Sequence, residues 1–172
     1  MIRTCAWCGE LLADEAAESS PVTHGMCRTC SEAFFARPSE SLVEFLDRLG
    51  APVLVIDPDG RVTTANQLAC KTLGKAAKDV RGCLGGEAIE CCHARKPGGC
   101  GGTVHCKTCT IRNTVMKTFD TGKPCVGVKA YPDVEIDSLT KTLCLAISTE
   151  KVGDVVLLRI DDLREKGEPE AN

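Results

Sequence analysis

The chain has 172 residues and a formal net charge of −3, and 43% of its residues are hydrophobic. This length and composition suit one ordinary domain with a small addition, and they exclude a multidomain enzyme and a chain too polar to fold. The acidic balance gives no general attraction to nucleic acid or to an anionic membrane. No apolar run reaches the roughly 18 residues of a membrane span, and the N-terminus lacks the apolar centre of a signal peptide. We therefore predict a cytoplasmic protein that does not bind membranes.

Cysteine departs most from an ordinary composition, with 13 copies in the chain. An odd number, without an export signal, favours metal or redox chemistry over the disulfide framework of a secreted protein. Eight of the cysteines form two groups of four, and the other five are scattered. We interpret the scattered ones as small buried hydrophobes: Cys70, Cys83, Cys92, Cys125 and Cys144.

Residues 1–32 carry the first group, in which Cys5 and Cys8 form one C-x2-C pair and Cys27 and Cys30 form another. Two such pairs supply four thiolates to one tetrahedral zinc ion and leave no open position, so the predicted site is structural. A segment this short has too little core to fold without a metal. The motifs CAWCGE and THGMCRTC resemble the small zinc-binding segments found beside sensor domains in bacterial signalling proteins.

Residues 33–50 are predicted to form a connecting segment with an amphipathic helix. Ser41 and Glu44 have the spacing of a capping box, and Gly50 ends the pattern. The apolar face of this helix recurs at the helical period: Leu42, Phe45, Leu46 and Leu49. The helix at residues 39–49 is also a candidate surface for a homodimer.

A β-hairpin is predicted next, with strands at residues 53–56 and 61–64 around the turn Asp57-Pro58-Asp59-Gly60. Asn66 then begins a helix that Gly74 ends. We expect three of its side chains to face inward: Leu68, Ala69 and Leu73.

The remaining pattern predicts a helix at residues 111–119 and strands near residues 125–131, 139–148 and 155–160. Two strands, then helices, then three strands indicate an α+β fold in which helices pack on one side of an antiparallel sheet.

Several of these segments, in this order, resemble a PAS domain, the sensor module of bacterial signal transduction. They are VLVIDPDGRVTTAN, the helix after it, TFDTGKP and VVLLRIDDL. The resemblance implies a PAS-like five-stranded antiparallel sheet with flanking helices that enclose a pocket for a ligand or cofactor. We assign residues 51–163 to this sensor domain and residues 164–172 to a disordered tail.

The second cysteine group lies in a glycine-rich loop at residues 91–109, whose backbone can wrap closely around a metal centre. It resembles a cysteine-rich insertion that some bacterial PAS sensors carry at this position. The predicted ligands are Cys91, Cys100, Cys106 and Cys109. Cys92 is left as a spare.

Two metal centres suit the loop. A zinc ion would cross-link the loop, and a 4Fe–4S cluster would use the same four thiolates. Zinc is the first choice, because the N-terminal group already has zinc spacing, and a reversible dithiol switch is a third reading. Four nearby cations are expected to balance the negative charge in either case: Arg95, Lys96, Lys107 and Arg112. His93 and His105 are interpreted as solvated loop residues, with His93 the better substitute ligand.

The sequence thus predicts a stand-alone PAS-type sensory or regulatory module of bacterial signal transduction. It binds metal through cysteines and relays a redox or ligand signal to a partner protein. No enzymatic activity is predicted, because no catalytic acid, base or open metal position is evident. The alternatives are a small iron–sulfur electron-transfer protein and a zinc-ribbon regulator that binds nucleic acid. The acidic charge and the scarcity of stacking aromatics argue against the second alternative.

Overall fold

A computed structural model describes residues 2–5, 8–14, 22–35 and 42–167, and the chain divides into two compact units, residues 1–50 and 51–172. The elements of the first unit are β1 (Ile2–Cys5), β2 (Leu11–Asp14), β3 (Val22–Gly25), α1 (Arg28–Phe35) and α2 (Leu42–Asp47). Strand β1 pairs antiparallel with β2 and parallel with β3. This sheet and α1 were not predicted, because the spacing of the cysteines is the only clear pattern in this part of the sequence.

Helix α2 ends at Asp47, two residues before the end that the sequence predicted. Leu46 is fully buried, whereas Leu42 is 38% exposed and Phe45 is half-buried. Ser41 lies outside the described residues, and so does the predicted capping box. The homodimer surface at residues 39–49 stays a prediction.

The second unit contains both helices and strands. Its elements are β4 (Val53–Ile56), β5 (Val62–Ala65), α3 (Gln67–Leu73), α4 (Ala77–Val80), α5 (Gly85–Ala88), a 3₁₀ helix (Val104–Thr108), α6 (Thr110–Thr121), β6 (Cys125–Ala130), β7 (Asp133–Ile136), β8 (Leu139–Val152) and β9 (Val155–Glu165).

The antiparallel sheet has the strand order β5-β4-β9-β8-β6, and β7 pairs with the first part of the long strand β8. The five strands of this path are those predicted, and β7 is an addition. Strand β9 extends to Glu165, past the boundary predicted at residue 163, because it stays paired with Leu143 of β8. Residues 168–172 of the predicted tail lie outside the described residues.

The hydrophobic core lies where one face of this sheet packs against α3 and α6. Its members include Leu54, Ile56, Leu145, Ile147 and Leu158 from the strands and Ala69, Ile111 and Val115 from the helices. Ala69 and Leu73 face this core as predicted, but Leu68 is 37% exposed, and Cys70 packs against the core in its place. Within the described residues, no helix has the length and apolar character that crossing a membrane requires.

Asn66 fixes the junction between the β4–β5 hairpin and α3. Its side-chain Oδ1 accepts hydrogen bonds from the backbone amides of Ala69 at 2.9 Å and Val53 at 3.0 Å, and its Nδ2 donates to the carbonyl of Ala51 at 2.7 Å. Asn66 is therefore both the N-cap of α3, as the sequence predicted, and a buried link to β4.

Asn66→Ala is expected to lower the free energy of unfolding of the second unit by about 2 to 4 kcal/mol, because it removes a helix cap and leaves buried amides without acceptors. Urea denaturation measures the change. Asn113→Ala is the matched control, since Asn113 is exposed on α6. Similar losses in both variants would contradict a special role for Asn66.

Candidate metal centres

Four cysteine sulfurs lie together in the first unit. The Sγ atoms of Cys5, Cys8, Cys27 and Cys30 are all within 4.8 Å of one another. Cys5 ends β1 and Cys30 lies in the first turn of α1, and Cys5 and Cys27 are buried while Cys8 is exposed. The structure thus brings together all four residues of the first predicted group.

The spacing of these sulfurs fits one zinc ion. Tetrahedral zinc with bonds near 2.3 Å holds its sulfurs about 3.8 Å apart, and the Sγ atoms of Cys8 and Cys27 are 3.7 Å apart. The amide of Cys27 donates to Sγ of Cys5, and the amide of Cys30 donates to Sγ of Cys27, both at 3.3 Å. Amide donors of this kind stabilise thiolates, so the donor set suits a structural metal.

Protons compete with zinc for this group. Burial and hydrogen bonds from the neighbouring thiols raise the pKa of Cys30 far above that of an ordinary thiol. A raised pKa favours the protonated thiol, and zinc binds the thiolate, so each bound ion must displace protons. We expect zinc to be released progressively as the pH falls, which a zinc indicator measures during an acid titration. Zinc occupancy that does not change with pH would contradict thiolate ligation.

The second cysteine group faces a cavity of about 310 Å³ in the second unit. Four loop cysteines line this cavity: Cys91, Cys100, Cys106 and Cys109. The sheet supplies part of the opposite wall through Ile56, Ala130 and Leu158. All four predicted loop ligands therefore point into one space between the loop and the sheet.

The loop sulfurs stand further apart than those of the first group. Among the described residues, no three of the four loop cysteines have Sγ atoms that all lie within 4.8 Å of one another. A single zinc ion requires about 3.8 Å between its sulfurs. A 4Fe–4S cluster binds each thiolate at a different iron of a cube, so its four sulfurs surround a volume. The loop sulfurs are therefore spaced more widely than a single tetrahedral zinc ion requires.

Hydrogen-bond donors are aimed at two of the loop sulfurs. The amide of Gly86 donates to Sγ of Cys100 at 3.3 Å, and the amide of Gly101 donates to Sγ of Cys106 at 3.0 Å. The hydroxyl of Thr103 lies 3.1 Å from Sγ of Cys106. Hydrogen bonds to ligand sulfurs tune the reduction potential of an iron–sulfur cluster.

These hydrogen-bond donors make the Cys106 thiol easier to ionise than the Cys91 and Cys100 thiols. Burial opposes its ionisation, but the Thr103 hydroxyl, the Gly101 amide and the positive charge of Arg112 together lower the pKa of the Cys106 thiol. Burial raises the pKa of the Cys91 and Cys100 thiols. Cys106 is thus the most readily ionised of these three thiols.

Arg112 is one of the cations predicted to balance the loop charge, and its positive charge lowers the pKa of the Cys106 thiol. Arg95 instead forms ion pairs with Glu90 and Glu135. Glu90 also forms an ion pair with Lys75. Lys75 and Arg95 together lower the pKa of the Glu90 carboxyl group. Arg95 therefore ties the start of the loop to β7 and contributes little charge to the cavity.

Gly86→Ala is expected to displace Cys100 and to reduce the metal content of the loop. A Cβ at position 86 would lie 2.8 Å from Sγ of Cys100, so the sulfur or the helix must move. Gly85→Ala is the matched control on α5, because a Cβ there meets no atom within 4 Å. Metal and acid-labile sulfide per chain measure the effect. Equal content in the two variants would contradict close packing at Gly86.

The sequence missed one further group of ligand-type residues. The side-chain ligand atoms of Cys92, His93 and Asp133 all lie within 4.8 Å of one another. Cys92 is half-buried and not the fully buried hydrophobe predicted, and the His93 ring stacks on that of His105 with centroids 4.0 Å apart. Asp133 lies on the unpredicted strand β7, so no sequence signal placed it beside the loop.

A comparison with protein families matches the part of the chain that contains the β4–β5 hairpin and the helices beside it. A model described as PAS fold matches residues 40–84. This part of the chain is similar to the PAS fold. The α+β fold with an antiparallel sheet, predicted from the sequence, is confirmed. A comparison with curated protein sequences found no match.

Solved PAS-fold structures are similar to this chain at low identity. The PAS domain of BvgS from Bordetella pertussis is 16% identical over 73% of this chain and 85% of its own, with a TM-score of 0.43. A domain of a sensory box sensor histidine kinase/response regulator from Geobacter sulfurreducens is 13% identical over 77% and 93%, with a TM-score of 0.46. The PAS domain of nitrogen regulation protein NR(II) from Vibrio parahaemolyticus is 15% identical over 73% and 99%, with a TM-score of 0.45.

Proposed function

We propose that this PAS-fold chain is a sensory or regulatory module of signal transduction that responds to redox change and acts on a partner protein. Zinc would be held by Cys5, Cys8, Cys27 and Cys30. A 4Fe–4S cluster would be held by Cys91, Cys100, Cys106 and Cys109. We propose no catalytic activity for it.

One observation carries this proposal: four loop sulfurs line a single cavity at a spacing wider than one zinc ion requires. Amide donors and Arg112 favour the thiolate at Cys106, as a cluster ligand needs. When bound, the cluster supplies a one-electron redox couple that the surrounding hydrogen bonds adjust. The spacing favours the cluster over zinc, which was the first choice from the sequence alone.

Helix α6 offers a route from the loop to the sheet. Cys109 is its N-cap residue, so a displacement of this sulfur acts directly on the start of the helix. Ile111 and Val115 pack in the core, and the hydroxyls of Thr118 and Thr149 are 2.7 Å apart, which joins the far end of α6 to β8. Order–disorder change at a ligand loop is a common switching element.

The metal assignment is tested on full-length protein purified without oxygen. We expect about four iron and four sulfide per chain, together with at least one zinc and a visible absorption band that bleaches on reduction. Zinc without iron or sulfide would overturn the cluster assignment.

The relay is tested by amide hydrogen exchange before and after oxidative loss of the cluster. We expect faster exchange in residues 110–121, while residues 53–56 of β4, which is paired on both sides, serve as the internal control. Reversible oxidation without any change in exchange would indicate an electron-transfer protein and overturn the sensory proposal.

A further inference from the structure

We infer that Cys92, His93 and Asp133 form a second metal site in the PAS-fold unit, separate from the four loop thiolates, for a divalent transition metal such as zinc. Their thiol, imidazole and carboxylate ligand atoms all lie within 4.8 Å of one another. This group does not depend on the proposed cluster, because it shares none of the four cysteines assigned to it.

Backbone pairing fixes two of the three ligands. The amide of Cys92 donates to the carbonyl of Asp133 at 2.9 Å, and the amide of Glu135 donates to the carbonyl of Glu90 at 3.0 Å. A further bridge pairs Cys91 with Val134. The start of the loop is thus held against β7 like a short extra strand, and the Cys92 and Asp133 side chains are positioned without help from a metal.

The imidazole of His93 carries an unused binding atom. Its Nδ1 is buried and has no hydrogen-bond partner among the described residues. A buried ring nitrogen without a partner is costly, and a metal ion satisfies it directly. Stacking on His105, with an interplanar angle of 14°, restricts the rotation of the ring.

The carboxylate of Asp133 is held by its neighbour on β8. The hydroxyl of Thr142 donates to Oδ1 of Asp133 at 2.6 Å. Hydrogen bonds of this kind orient metal-binding carboxylates from outside the ligand set. The second oxygen, Oδ2, stays available for a metal.

The chemistry of the three donors selects the class of ion. Thiolate and imidazole favour zinc and similar transition metals over magnesium and calcium, which prefer oxygen. Three protein ligands leave the fourth tetrahedral position for water or a small exogenous ligand. In this respect the site differs from the closed four-cysteine group of the first unit.

Cobalt(II) titration of the full-length protein tests the inference, because a cobalt–thiolate bond gives a visible charge-transfer band. We expect the wild type to bind one more cobalt ion than His93→Gln or Asp133→Asn, or to bind it at least about 10-fold more tightly. The matched control is Asp137→Asn, because Asp137 lies in the exposed turn after β7.

Cobalt binding that is the same in the wild type, His93→Gln and Asp133→Asn would overturn the inference. Cys92→Ser provides a further variant that leaves the Asp133–Thr142 contact in place, should Asp133→Asn fold poorly. Iron and sulfide are measured in the same samples. Their loss in His93→Gln would show that the triad belongs to the loop centre, which also overturns the inference. Their absence from every sample, with cobalt binding still dependent on Asp133, would overturn the cluster alone.

Discussion

Cys106→Ser is expected to remove nearly all iron and sulfide from the protein. Cys106 is the buried member of the loop group, its sulfur accepts a hydrogen bond from the Gly101 amide, and the Thr103 hydroxyl lies 3.1 Å from it. A serine hydroxyl stays protonated where the thiol ionises, so it is a poor replacement for a thiolate ligand. Iron and sulfide analysis, with the visible spectrum, measures the loss.

Cys83→Ser is the matched control for this change. Cys83 lies outside the loop, packs beside the core, and its Sγ lies 3.1 Å from the carbonyl of Asp79, a hydrogen bond that a serine hydroxyl can keep. We expect this variant to retain its metal. Full iron content in Cys106→Ser, or equal loss in both variants, would contradict the ligand assignment.

The double substitution Cys27→Ser and Cys30→Ser is expected to abolish one equivalent of zinc and to unfold the first unit. Zinc binding in small cysteine sites supplies about 10 to 16 kcal/mol at neutral pH. The strands of this unit are only four residues long, so they cannot replace that energy. Zinc content and hydrogen exchange in residues 2–35 measure the effect.

The second unit should stay folded in this double variant, because its own core lies within residues 54–160. Cys70→Ser, a single change in α3, serves as the control that keeps zinc. Unchanged zinc in the double variant would contradict the N-terminal site. Loss of protection throughout residues 53–165 would contradict independent folding of the two units.

Local signals in the sequence were sufficient to predict most strands and helices of the second unit. Asn66 caps α3 through its own side chain, and Gly74 ends that helix with a left-handed φ of 64°. Such features depend on a few adjacent residues, so they can be predicted without knowledge of the tertiary structure. The order of strands and helices then led to the antiparallel sheet.

Strand β7 could not be predicted in the same way. Its turn to β8 uses Asp137 and Ser138 with φ angles of 51° and 63°, and no glycine marks it. The usual sequence signal of a two-residue hairpin is therefore missing. Because β7 was missed, Asp133 was not placed beside Cys92 and His93.

The cysteine residues themselves could be predicted, but not the size of the space between them. The C-x2-C spacing is shared by Cys5–Cys8 and by Cys106–Cys109, so sequence alone gave zinc the preference at both groups. The difference arises from the long, glycine-rich path between Cys91 and Cys106, which holds the sulfurs around a cavity. Backbone geometry over this distance is a property of the folded loop.

The pairing of residues 90–92 with β7 also covers a sheet edge. Backbone groups of Glu90 and Cys92 form hydrogen bonds with the outer side of β7, which would otherwise be an unpaired sheet edge. Ile136 is 40% exposed and Leu139 is 63% exposed beside it. Unpaired edges with apolar side chains recruit strands from other chains. If the proposed cluster were lost and the loop detached, this edge would be exposed, and we expect aggregation to increase.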